Sequence, residues 1–467
     1  METIDITTVK PAEYNPRKLS PNAFEDLKNS IRTLGVIKPI IVRKENNTII
    51  AGHQRTKTML SLGIKHAPAF ILEGVNLTDE VRFNQLHNRC EYEVNEKAPK
   101  VKINAPLEEG FNRIANKDIT IIDKGELPIL NNLLCSLIVK YGEFGCPISD
   151  LKGDVGISSA YAFACKHLGK DIYVYALPKE KYKTALSYFS KTYGQFSYDN
   201  LKRNTYIQAL AQMKRLRDGK KGVANSMKST LYREKVIPYL QANKEKNLKI
   251  LDFGAGQKDY AKMLKKQGYD ILAVEPYHLK EGTRTIDVLG NKRDFLQVCE
   301  DLKTFGGYDV VICDSVLNSV DSIEAERSVI YTVLALCKVG GKIFMSGRPK
   351  SDTDRKEIAK NATKSMPAYI HFFDENNFSA LYRNGQWFYQ KFHSDTQIKE
   401  IAQTLSDRYK TSKNHSSFHI VADKIKECDE NIAIASLRFE WDMMLPNNKS
   451  YGLSDEIENA YRNKKKY

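Results

Sequence analysis

Apolar and polar positions change period sharply near the middle of the chain. Residues 249–253, Lys-Ile-Leu-Asp-Phe, read as a buried strand that turns through Gly254-Ala255-Gly256, after which Tyr260, Met263 and Leu264 recur at helical spacing. A second apolar run, 271–274, ends in Glu275; a third, 308–314, leads into Ser315-Val316-Leu317-Asn318. A helix over about 324–336 and a strand over 342–346 follow. Strands alternating with helices predict a parallel, Rossmann-like sheet. The first ninety residues have their own pattern. Ser20-Pro21 opens a helix with Phe24, Leu27, Ile31 and Leu34 on one face, closed at Gly35. Residues 37–43 and 48–51 read as a hairpin, Gly52 opens a second helix, and 78–89 form a third.

Between these regions, residues 93–125 hold few large apolar side chains and read as a linker. Beyond it, 127–137 is an apolar helix, 171–175 a strand, and 178–193 a helix dense in Lys and Tyr. Toward the end, 387–393 reads as a late strand of the sheet after the turn Asn384-Gly385, 396–409 as a helix and 431–440 as one more strand. The expected fold is a multidomain α/β chain. An α+β domain over 1–92, the linker 93–125 and a basic, mostly helical middle region over 126–235 precede a Rossmann-like core over 236–400 and an extension over 401–467.

Composition narrows the function classes. Hydrophobic residues make up 42% and charged residues 28%, as in a globular protein. No apolar run reaches membrane-spanning length and the start is not a signal peptide, so no membrane partner is expected and the cytoplasm is the expected location. The eight cysteines form no Cys-x-x-Cys pair, so they read as reduced thiols and no metal site is expected. The net charge of +15 points to a polyanionic partner, nucleic acid first. Residues 201–235 concentrate it: ten lysines and arginines against two acids, a net +8, with tyrosines interleaved. Lys214, Arg215, Arg217, Lys220 and Lys221 are its candidate phosphate contacts.

A Gly-rich turn between a parallel strand and a helix lets a ligand approach bare backbone, and an acid at the next strand's tip can hold a ribose diol. The set formed by Asp252, Gly254, Ala255, Gly256 and Glu275, with the strand ending at Asp314, resembles the class I S-adenosylmethionine-dependent methyltransferases over residues 230–395. The resemblance implies S-adenosylmethionine as cofactor, held by the Asp252–Gly256 turn, Glu275 and Asp314. A dehydrogenase would want a third glycine where Asp259 stands.

Asn15-Pro16-Arg17, then residues 35–43, then Ile49-Ile50-Ala51-Gly52-His53-Gln54-Arg55 are similar to the ParB/sulfiredoxin N-terminal domain over 4–90. The resemblance implies that Gly52, His53 and Arg55 meet nucleotide phosphates, of CTP or ATP; a scaffold that binds no nucleotide, with His53 bracing the loop, stays open as the alternative. Gly52 stands where sulfiredoxins carry a reactive cysteine, which excludes sulfinic acid reduction. This copy resembles those fused to phage and mobile-element DNA methyltransferases.

The acceptor is less constrained. No Pro-Pro or Pro-Cys dipeptide exists, so the motifs of familiar adenine and cytosine methyltransferases are absent. Asp314 as a base and Asn318 as an amide acceptor are the catalytic candidates; both could equally only shape the pocket. The expected function is methyl transfer to nucleic acid, DNA or an already modified DNA base. A DNA-binding regulator with a non-transferring cofactor domain, or transfer to RNA or a small molecule, stays open, as does oligomeric state.

Overall fold

The computed structural model describes the chain apart from residues 15–16, 88–92, 191–194, 197, 199–200, 202–226, 284, 353–372, 384–385, 415 and 466–467. Lys214, Arg215, Arg217, Lys220, Lys221 and the turn Asn384-Gly385 lie outside the described residues. Two units form: one contains Met1–Leu201 and Tyr382–Trp387, the other Lys202–Asp354, Asn376–Leu381 and Phe388–Tyr467.

The first unit opens with β1 (Glu2–Asp5), α1 (Pro21–Leu34), β2 (Ile40–Arg43), β3 (Ile49–Ala51), α2 (His53–Ser61), β4 (His66–Leu72) and α3 (Leu77–His87). The strands lie in the order β1-β4-β2-β3, with β2 parallel to β4 and antiparallel to β3. Local chemistry sets the ends of α1: the Ser20 hydroxyl accepts the Ala23 N–H at 3.2 Å, and Gly35, at φ +76°, caps the last turn.

Residues 93–125 are not a linker. They supply β5 (Lys100–Ile103), β6 (Gly110–Ile114) and β7 (Ile119–Asp123), followed by α4 (Pro128–Tyr141), β8 (Ile148–Asp150), β9 (Asp154–Ile157), α5 (Ser159–His167), β10 (Ile172–Leu177) and α6 (Lys179–Phe189). The strands build one sheet in the order β6-β10-β8-β9-β5-β7, so the described part of the middle region is α/β, with strands between its helices. The reason is arithmetic: a strand with one buried face needs an apolar residue only at every second position. In β5, Val101 and Ile103 go inward while Lys100 is exposed, leaving a sparse, basic sequence that imitates a linker.

Nor does a boundary at residue 92 separate two cores. Phe83 and Leu86 of α3 share a cluster with Val101, Leu134, Leu137 and Tyr161, and the Phe83 and Phe144 rings meet edge-on at 4.7 Å. Buried Asp79 accepts hydrogen bonds from Lys140 and Tyr141 of α4. Lys38 donates to Ser158 at 2.7 Å and pairs with Glu93.

The second unit begins with a π-helical turn, Tyr232–Val236, leading into α7 (Ile237–Ala242). Then come β11 (Lys249–Phe253), α8 (Asp259–Lys266), β12 (Asp270–Val274), α9 (Val288–Phe305), β13 (Tyr308–Cys313), α10 (Ile323–Leu336) and β14 (Cys337–Gly347). After β15 (Phe378–Arg383) and β16 (Gln386–Lys391) follow α11 (Asp395–Leu405), β17 (Tyr409–Lys413), β18 (Phe418–Asp423), α12 (Glu430–Trp441) and α13 (Ser454–Arg462). The main sheet runs β12-β11-β13-β14-β18-β17; its first four strands are parallel, β18 is antiparallel to β14, and β17 is antiparallel to β18.

Two expectations fail here. The strand 387–393 belongs to a two-stranded ribbon with β15, not to the main sheet. The region 401–467 adds to the core directly, because β17 and β18 complete the sheet; mostly exposed β17 carries too little apolar signal to show this. Residues 431–440 form a helix. Their alternation suggested a strand, but the Asp429 carboxylate caps the Ile432 N–H at 3.0 Å and Ala433, Leu437 and Trp441 bury one helical face.

Candidate active site

Strand order places the site. The chain steps from β11 to β12 on one side and returns to β13 on the other, so the crevice beyond β11 and β13 is a topological switch point. Residues at the carboxyl ends of four strands converge there: Asp252, Glu275, Asp314 and Ser346.

The turn after β11 is rigidly tied. Gly254 and Ala255 both donate N–H to the Val274 carbonyl, at 2.9 and 3.1 Å. Gly254 has φ +72°, and a Cβ there would lie 2.3 Å from Val316 Cγ2, so only glycine lets this turn meet the loop after β13. Gly256, at φ +57°, has no atom within 4 Å of where a Cβ would stand: its face borders open space. Its N–H donates to Glu275 Oε2 at 2.9 Å, while the Tyr277 N–H reaches Oε1 at 3.0 Å. His278 Nδ1 meets the Gly256 carbonyl at 2.9 Å, which fixes that nitrogen as the protonated one. Burial raises the Glu275 carboxyl above its usual value, with the two N–H donors opposing it.

Asp252 is 3% exposed and faces the Tyr232 hydroxyl, which burial and the Asp252 charge hold well above an ordinary phenol. At the tip of β13, Ser346 Oγ accepts the Ser315 N–H at 2.8 Å and donates to Asp314 Oδ1 at 2.7 Å. Asp314 is thereby oriented and half-buried. Asn318 is half-buried too, and its amide makes one long contact, 3.5 Å, to Ser319 Oγ. On the same sheet, His419 Nε2 lies 2.8 Å from Thr230 Oγ1.

Of the predicted site residues, Asp252, Gly254, Ala255, Gly256, Glu275, Asp314 and Asn318 all fall at or just beyond the strand tips lining the crevice. Tyr232, His278 and Ser346 went unassigned in the sequence. Tyr232 sat inside the basic stretch, and Ser346 stood only as the last residue of a strand; its place at a β14 tip was the available signal.

In the first unit, the residues of the expected phosphate site bond to their own loop. Gly52, at φ +103°, needs to be glycine because a Cβ would lie 2.8 Å from Ile40 Cγ2. Arg55 Nη1 donates to the Lys38 and Pro39 carbonyls at 2.7 and 3.0 Å, and His53 Nε2 accepts the Ala12 N–H at 3.0 Å. Burial pushes the His53 imidazole down to about 4, so it is neutral. Both side chains brace the loop, while Arg55 Nη2 lies over Gly52. Among the described residues no group of His, Cys, Asp and Glu could hold a metal, and no helix is long and apolar enough to cross a membrane.

Comparison with known proteins finds one match within each unit. Residues 1–87 match the ParB N-terminal domain and residues 227–390 match a methyltransferase domain. The chain thus carries a ParB N-terminal domain followed by a class I methyltransferase domain. The methyltransferase match starts at 227, so Tyr232 belongs with this core and not with the middle region. A probable chromosome-partitioning protein ParB of Coxiella burnetii is 37% identical over 83 residues, 17% of this chain and 28% of that protein. A nucleoid occlusion protein of Bacillus cereus (strain AH187) is 35% identical over 92 residues, 19% of this chain and 31% of that protein. The chain therefore spans less than a third of the length of these relatives. Among solved structures, a Burkholderia thailandensis 1,6-didemethyltoxoflavin-N1-methyltransferase with bound S-adenosylhomocysteine is 13% identical. That match covers 43% of this chain and 80% of that one, with a TM-score of 0.27.

Proposed function

We propose that the second unit transfers a methyl group from S-adenosylmethionine to nucleic acid, DNA or an already modified DNA base, and that the ParB-like domain binds nucleotide or DNA. One observation carries the cofactor reading: the Gly256 N–H held by Glu275 beside open space. This arrangement fits the group. Each carboxylate oxygen of Glu275 spends one lone pair on a backbone N–H and keeps another for a ribose hydroxyl. When bound, the cofactor supplies an electrophilic methyl on a sulfonium.

The chain's own residues do the rest. The Gly254–Gly256 turn admits the ligand to bare backbone, and Asp252 and Asp314 present carboxylates on either side of the crevice. Asp314, its direction fixed by Ser346, would take the proton released by an amine, and Asn318 would hold that amine by its amide oxygen. Much of the rate comes from positioning. Support for a nucleic-acid acceptor comes from the +15 charge and from relatives that are themselves chromosome-partitioning and nucleoid-occlusion proteins.

Calorimetry with S-adenosylhomocysteine tests the cofactor site. Glu275→Ala should weaken binding by roughly 1.5–3 kcal/mol for each charge-assisted hydrogen bond lost. Equal affinity in both forms would remove the assignment. Mass spectrometry of nucleosides from DNA incubated with the protein and methyl-labelled cofactor tests the acceptor. Cofactor binding with no labelled nucleoside would favour the regulatory reading.

A further inference from the structure

The first unit contains a cavity of about 720 Å³ that the proposed function leaves unused. It lies between the N-terminal half of α4 and the C-terminal end of α5, with residues 97 and 124–126 on a third side. That side is built by close backbone approach. Gly125, at φ +64°, could carry no Cβ without coming within 2.5 Å of the Lys97 carbonyl, and the Glu126 N–H donates to that carbonyl at 2.8 Å. The chain there brings exposed Lys97 and Lys124 together at the cavity, and neither ammonium pairs with a carboxylate among the described residues. Asn131 also lines it. That side chain is only 8% exposed, yet its Oδ1 has no hydrogen-bond donor. Across the cavity Phe163 and His167 hold their rings parallel, 6° apart in plane.

These groups specify a ligand by chemistry. A buried amide oxygen without a donor costs about 1–3 kcal/mol, so the site favours a ligand that brings an N–H. An asparagine amide offers an acceptor and a donor side by side, the pattern that adenine's N6–H and N7 complement. Parallel aromatic faces suit base stacking, and the lysines suit phosphate. Glu126 also lines the cavity, which leaves the two lysines and this carboxylate at a net +1, matched to one phosphate better than to three. The volume lies within the ordinary range for small-ligand sites.

We propose that this cavity binds an adenine nucleotide bearing a single phosphate, free or as an unstacked residue of a strand. The inference does not depend on methyl transfer. Its test uses the full chain, titrated calorimetrically with AMP, adenosine and a single-stranded ten-residue oligo(dA). AMP should bind, with adenosine at least ten-fold weaker. Asn131→Leu should lower AMP affinity ten-fold or more. The pair Lys97→Gln and Lys124→Gln, both exposed and so harmless to the fold, should bring AMP down to the adenosine level and leave adenosine unchanged. Cys135 lines the same cavity, so AMP should slow its alkylation, also in a Glu275→Ala chain where the methyltransferase crevice is altered. Binding of the oligonucleotide but not of AMP would support the strand residue as the source. The proposal is overturned if neither AMP nor the oligonucleotide binds. It is equally overturned if the lysine pair leaves AMP affinity unchanged, or if the bound probe leaves Cys135 alkylation as fast as before.

Discussion

Glu440 stands on α12 at 4% exposure, its Oε1 without a hydrogen-bond partner, facing Glu275, Tyr277 and Cys313. Burial, with the Glu275 charge adding to it, pushes its carboxyl up to about 8 from the usual 4.5. The sign follows from where the proton sits. Between pH 4.5 and 8 the folded protein keeps a proton that the unfolded chain releases, so stability falls as pH rises through that window, by up to ~1.4 kcal/mol per pH unit. Glu440→Gln has nothing to release. It should match the native chain near pH 4.5 and exceed it by on the order of a few kcal/mol at pH 8. Urea unfolding of the second unit, followed at both pH values, checks this. A constant difference between the two forms across pH would mean that Glu440 is charged in the fold. Because Glu440 faces Glu275, the same substitution also keeps the group behind the proposed ribose acid neutral above pH 8.

At the scale of elements, strongly periodic or sharply capped segments were legible and sparse ones were not. The α1 helix, the β11 turn and the β13 strand announced themselves because full burial on one stripe or both faces leaves a dense apolar signal. β5, β6 and β7 bury one face at alternate residues, so their lysines and asparagines hid a six-stranded sheet. Helix α12 was mistaken for a strand because Ile432 and Ile434 alternate with Ala433 and Ala435. Site residues at strand tips were readable because a chain reversal after an apolar run is a local event. Ser346 and Tyr232 reach the crevice only through strand order, which is not local. The α2 turn is the remaining case. If Gly52 and Arg55 take a nucleotide as well as bracing their loop, CTP or ATP should raise the melting temperature of the first unit. Arg55→Ala should abolish that rise and itself cost about 2 kcal/mol, since two carbonyls lose a charged donor. A native chain whose melting is indifferent to both nucleotides would leave the turn a purely structural device.

For the molecule as a whole, the question is how nucleic acid would reach the crevice. Residues 201–235 carry a net +8, more than half of the chain's +15. The described end of that stretch is anchored in the methyltransferase core. Ser229 donates its N–H to the Tyr260 hydroxyl at 2.9 Å, and Tyr232 sits buried beside Asp252. Lys214, Arg215, Arg217, Lys220 and Lys221 precede this anchored segment in sequence, and the proposal is that they hold phosphates. If all five contact phosphates, each contributes about 0.7–0.9 to the slope of log affinity against log salt. Replacing them together with Gln should flatten that slope by roughly 3.5–4.5. Affinity for S-adenosylhomocysteine should hold, because the substitutions remove charge upstream of Tyr232 and leave Asp252, Gly256 and Glu275 intact. An acceptor base inside a duplex must leave the stack before it can be methylated, so single-stranded or mismatched sites should be the better substrates. Salt titrations of duplex and single-stranded DNA binding, run in parallel on the native and five-fold variant chains, measure both effects. Identical slopes for the two proteins would move the nucleic-acid contact elsewhere on the chain, with the ParB-like unit the next surface to titrate.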